Sequence, residues 1–156
     1  MACTAAASAQ TAAYGHPDET HRDETATACP WLTAGTAADI LGGDVLLRIA
    51  GNATDEGACH FARRGSATEF LEIHVSAEPL HGCPAGSAPL HGVGNQTERC
   101  RIADARGIAE ERASGRVRAL YFTVTIAGRA PRESGKPSES DDRLARLADE
   151  VAGNLY

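Results

Sequence analysis

Five cysteines and six histidines hold most of the reactive chemistry open to this chain. No two cysteines form a Cys-x-x-Cys pair, and no Cys and His fall at a zinc-finger spacing, so the chemistry favoured is disulfide formation in an oxidising compartment. Cys29, Cys59, Cys83 and Cys100 lie within the part of the sequence that looks foldable. Four cysteines allow three pairings, which the sequence alone leaves open; pairing of neighbours, Cys29 with Cys59 and Cys83 with Cys100, is favoured. Cys3 is left over. Close to the start and followed by Ala, Ser and Thr, it suits the lipid-bearing cysteine of a bacterial lipoprotein, the competing reading being an incidental tail thiol.

Among the histidines, His16 and His21 flank Pro17, Asp18, Glu19 and Thr20 and read as solvated tail residues. His81 and His91 share one loop that a Cys83 to Cys100 bridge would restrain, and His74 sits on a nearby outward strand position. These three are the best metal-ligand candidates, although their spacing matches no known ligand set. There is no Gly-x-Ser-x-Gly elbow, no His-Glu-x-x-His, no phosphate-cradling Gly-x-x-x-x-Gly-Lys and no dinucleotide fingerprint. Glu110 and Glu111 read as a solvated face, and Asp141 and Asp142 as a helix start. No catalytic set and no cofactor are expected.

The elements that must position these residues follow from periodicity. Residues 119–127 alternate Leu120, Phe122, Val124 and Ile126 with Tyr121, Thr123 and Thr125, the period of a strand with one dry face and one facing water. Residues 69–76 alternate in the same way, with Leu71, Ile73 and Val75 inward and Glu72 and His74 outward. Residues 44–50 and 58–63 read as weaker strands, Leu46 being exposed in the first. Thr33 caps a short helix that stops at Gly42 and Gly43. Residues 77–94, with three prolines and four glycines, form a long loop in which Pro79-Leu80-His81-Gly82 recurs as Pro89-Leu90-His91-Gly92. Residues 98–103 resume as a strand. Residues 108–113 suit either a helix or the hairpin partner of the 119–127 strand, with the turn at Ser114 and Gly115 or nearer Arg118. A helix capped by Ser138 or Ser140 then carries Leu144, Leu147, Ala148, Val151 and Leu155 on one stripe. The fold class expected is α+β, an antiparallel sheet packed against this C-terminal helix and the short N-terminal one.

Composition sets the remaining bounds. Residues 1–28 lack periodic hydrophobicity and read as a disordered tail or linker, leaving 29–156 as a single domain. They do not form a signal peptide as they stand, so the signal of an exported protein would have been removed or never have been part of this sequence. No apolar run is long enough to span a membrane. The net charge is −6, with 15 Lys and Arg scattered rather than striped, which argues against nucleic acid as a partner. Aromatic residues make up only 4%, so the core is expected to rest on Leu, Ile, Val and Ala.

The order Cys29-Pro30-Trp31-Leu32-Thr33, a short helix ending in Leu41-Gly42-Gly43, then Cys59-His60-Phe61, later Gly92-Val93-Gly94-Asn95, a hairpin and a Leu- and Ala-rich C-terminal helix resembles small secreted or lipid-anchored bacterial domains of unknown function. Their fold is similar to that of the photosystem P-subunit (PsbP-like) family, an antiparallel sheet with helices packed on it. Trp31 stands where an aliphatic residue is common, His60 intervenes before Phe61, and Asn95 replaces an acid. The resemblance implies a Cys29 to Cys59 disulfide and a location in the cell envelope, and it carries over no catalytic residue. The function expected is extracytoplasmic and non-enzymatic, the binding of a small ligand or an envelope protein by the long loop and the open face of the sheet. A periplasmic metal-binding protein using the loop histidines is the alternative, and an enzyme of unfamiliar type comes third.

Overall fold

The computed structural model describes residues 28–51, 54–85, 87–103, 107–128 and 138–156. Apart from Ala28, the expected tail lies outside the described residues, and with it Cys3, His16 and His21. The elements run α1 (Ala34–Leu41), β1 (Val45–Ala50), β2 (Gly57–Arg63), β3 (Phe70–Ser76), β4 (Ala88–Pro89), β5 (Glu98–Ala103), β6 (Ala109–Val117), β7 (Leu120–Ala127) and α2 (Ser138–Gly153). The strands join in one antiparallel sheet of order β1-β2-β3-β7-β6-β5-β4, and both helices lie against it, an α+β fold.

Local chemistry explains the boundaries. Thr33 Oγ1 accepts from the Thr36 N–H at 3.0 Å and starts α1, which Gly42 ends in the left-handed conformation at φ 70°. Residues 109–117 pair with β7 as a hairpin whose turn is Arg118 and Ala119, so the strand alternative holds and the turn lies at the later of the two expected places. Asn95 braces that turn: its N–H donates to the Arg116 carbonyl at 2.8 Å, and its Oδ1 accepts from the Arg118 N–H at 3.2 Å.

The inner face of the sheet is dry. Register aligns Ile49, Cys59, Ile73, Val124 and Ala113 in one row across β1, β2, β3, β7 and β6, and Leu47, Phe61, Leu71 and Ile126 in the next. Helix α1 covers the β1 to β3 half, and α2 covers β6 and β7. Leu144, Leu147, Ala148 and Val151 of α2, and Leu155 just after it, are all buried in this core, as their stripe predicts. The N-terminal segment is tied in covalently by Cys29 to Cys59, with Cα atoms 5.9 Å apart, and by Trp31, whose Nε1–H donates to the Thr54 carbonyl at 2.9 Å. Asn154 Nδ2 donates to the Trp31 carbonyl at 3.0 Å, joining the end of α2 to the start of the domain.

Most of the buried core is Leu, Ile, Val and Ala, as expected, and Trp31, Phe61 and Phe122 add its largest fully buried side chains. Two expectations need correction. Glu110, read as part of a solvated face, is only 8% exposed. Thr123 and Thr125 do not face water: they are only 7% and 4% exposed, because neighbouring side chains and a loop segment cover that face of β7. Leu46 is 48% exposed, as expected.

Candidate functional site

The outer face of the same strands is polar and ordered. One row across the sheet reads Arg48, His60, Glu72, Thr125, Arg112 and Cys100, each the cross-strand partner of the next. The adjacent row reads Ala58, His74, Thr123, Ser114 and Glu98. Directly opposed side chains lie about 5 Å apart, so these rows form a connected polar surface rather than isolated groups. Glu72 is its centre, with Oε1 3.3 Å from His74 Nε2 and 3.7 Å from His60 Nδ1. The hydrogen bond from His74 holds the Glu72 carboxyl below its usual range; partial burial opposes this, and the charges of His74, His60 and Arg112 add to it. Phe70 stacks on His60 with ring centroids 5.0 Å apart. Arg112 Nε donates to Thr125 Oγ1 at 3.2 Å, and its Nη2 lies 3.4 Å from the largely buried Glu110.

Over the β6 and β7 end of this face runs a strap made of residues 79–85 and 87–90. The disulfide Cys83 to Cys100, Cα atoms 5.7 Å apart, fastens it to the middle of β5. The Cys83 N–H donates to Ser114 Oγ at 3.1 Å, the short strand β4 pairs with the start of β5, and the Leu90 N–H donates to the Thr97 carbonyl at 2.7 Å. Gly82 is where the strap lies closest, since a Cβ there would sit 2.5 Å from Ser114 Oγ. Thr97, buried beneath, donates its hydroxyl to the Val93 carbonyl at 2.6 Å.

Between strap and sheet lies a groove of about 550 Å³. Pro79, Leu80, Gly82 and Pro89 form the strap wall; Ser114, Arg116, Tyr121 and Thr123 form the sheet floor; Gln96 and Glu98 stand at the rim. The floor supplies hydroxyls and one guanidinium, and the wall supplies prolines and Leu80. Beyond Leu80 a more open depression of about 710 Å³ includes His74, Ser76 and Ala58.

The disulfide candidates fall as favoured, Cys29 with Cys59 and Cys83 with Cys100. The metal candidates are not brought together. His74 is engaged with Glu72 on the sheet, His81 and His91 are exposed on the strap and the turn after it, and among the described residues no three His, Cys, Asp or Glu side chains are grouped to hold an ion. Sequence reasoning passed over Arg116, Tyr121, Ser114 and Thr123, whose types are ordinary for a strand surface. The repeat was the available signal: Pro79 and Pro89, its two copies of proline, both line the groove. No protein-family model, curated protein or solved structure matches the chain.

Proposed function

We propose that this chain is an extracytoplasmic, non-enzymatic binding domain whose ligand lies in the groove between the strap and the sheet. The observation that carries the reading is the groove itself, floored by a rigid sheet and walled by a segment that a disulfide holds in place. Two disulfides in a domain of this size fit an oxidising compartment, and the resemblance to secreted or lipid-anchored envelope domains with a PsbP-like fold points the same way. Lipid attachment at Cys3 belongs to the same proposal. Among the described residues no helix is long and apolar enough to cross a membrane. Glu72, His74 and His60 of the outer face are engaged with one another, and Ser114, Arg116, Tyr121 and Thr123 of the groove floor include no carboxylate or imidazole, which supports binding rather than chemistry.

A small-molecule collection screened by NMR against the labelled protein tests this reading. Hits should shift the amides of Ser114, Tyr121 and Thr123, and those shifts should vanish in Gln96→Trp, where an indole at the exposed rim fills the groove. Hits confined to other surfaces, or shifts unchanged by the indole, contradict the proposal.

A further inference from the structure

Arg116 is exposed on β6 and is held by two contacts. Its Nε–H donates to the Arg118 carbonyl at 2.7 Å, and its guanidinium carbon lies 5.6 Å from the ring centroid of Tyr121, its cross-strand partner. These two contacts fix the plane of the guanidinium at the groove floor and commit only one of its N–H groups. No carboxylate of the described residues pairs with it, so its two terminal nitrogens keep the fork that matches a planar carboxylate. An exposed arginine ordinarily loses side-chain freedom when it binds an anion; here the hydrogen bond and the ring have already restricted it.

The rest of the groove narrows the anion. Pro79, Leu80 and Pro89 offer an apolar wall opposite the polar floor, which suits a ligand with an apolar body. Glu98 lines the same groove, and the chain as a whole carries −6, so a polyanion or a phosphate of two charges meets repulsion where a single negative charge is accommodated. Ser114 Oγ already accepts from Cys83, while the Thr123 hydroxyl stands beside it in the cross-strand row. We infer that the groove takes a monoanionic carboxylate with an apolar body, anchored by the Arg116 fork over Tyr121. This inference rests on the binding-domain reading and adds the chemical class of the ligand.

The test uses phenylbutyrate, phenylbutanol and phenylbutylamine as probes, which share one body and differ in head group. Each is titrated by NMR into the wild type, Arg116→Gln, Arg116→Lys and, as a control on β1 away from the groove, Arg48→Gln. Phenylbutyrate should shift the Gly115, Tyr121 and Thr123 amides and bind about tenfold or more tightly than the alcohol, the amine being weakest. Arg116→Gln should remove the preference for carboxylate while leaving the rest of the spectrum in place, Arg116→Lys should keep part of it, and Arg48→Gln should keep all of it. If alcohol and carboxylate bind alike, or Arg116→Gln keeps the preference, the anchor is wrong and the groove still binds. If none of the probes moves the groove amides at millimolar concentration, the groove reading falls together with the inference.

Discussion

The two faces of this sheet are built from the same strands, in the same register, and are held by different physics. On the inner face the rows from Ile49 to Ala113 and from Leu47 to Ile126 gain by leaving water, roughly 25 cal/mol for each Å² of apolar surface. On the outer face the rows through Glu72 and Thr123 gain little from each pair, because partly exposed ion pairs are worth about 0–1 kcal/mol. The outer face therefore contributes orientation more than stability. The disulfides divide in the same way: Cys29 to Cys59 is buried in the core, and Cys83 to Cys100 is half-exposed and fastens the strap. One face is committed to holding the fold, and the binding proposed for this protein falls on the other.

Substitutions on the two faces should separate accordingly. The largest effect is expected for Leu147→Asp, which buries a carboxylate without a partner in the middle of the α2 stripe and should abolish cooperative folding, while Arg146→Asp on the exposed side of the same helix stays close to wild type in a thermal melt. Phe122→Ala follows, with a loss of about 3–5 kcal/mol in denaturant unfolding from lost burial and the cavity left behind. A cost under about 1 kcal/mol there would mean that β7 does not carry the core. On the outer face, Thr125→Val keeps the shape but leaves Arg112 Nε without its acceptor and should cost about 1 kcal/mol. If it proved as costly as Phe122→Ala, the division between the faces would collapse.

The smallest effect depends on pH. Because Glu72 has a folded pKa below that of the unfolded chain, its contribution is present above the ordinary glutamate value of about 4.3 and is lost as pH falls through the folded value. Glu72→Gln should therefore be slightly less stable than wild type near pH 6, with the gap closing in stronger acid. A gap of the same size throughout an acid titration would show that the His74 and His60 contacts do not act through charge.

The inner face was legible from the chain because alternation is a local signal, and one residue of slip would turn Leu71, Ile73 and Val75 out into water. The α2 stripe was legible for the same reason. Thr123 and Thr125 were misjudged because what covers them is remote in sequence: Glu72 and His74 come from β3, Arg112 and Ser114 from β6, and the strap from residues 79–85 and 87–90. Their own types, suited to a wet strand face, say nothing of that. The groove was hidden by a similar distance effect. Its walls read locally as a proline- and glycine-rich loop, and contacts remote in sequence, such as the Cys83 to Cys100 bridge and the approach of Gly82 to Ser114, turn that loop into one side of a groove.

Reduction of the folded protein, followed by alkylation, peptide mapping and hydrogen exchange on the same sample, tests the division between the faces most directly. Mild dithiol treatment should open the accessible bridge first, labelling Cys83 and Cys100 while Cys29 and Cys59 stay closed. In that state exchange should quicken in residues 79–85 and stay slow in β2, β3 and β7. Opening of Cys29 to Cys59 before the outer bridge, or loss of protection in β3 and β7 as soon as Cys83 and Cys100 are labelled, would contradict the account.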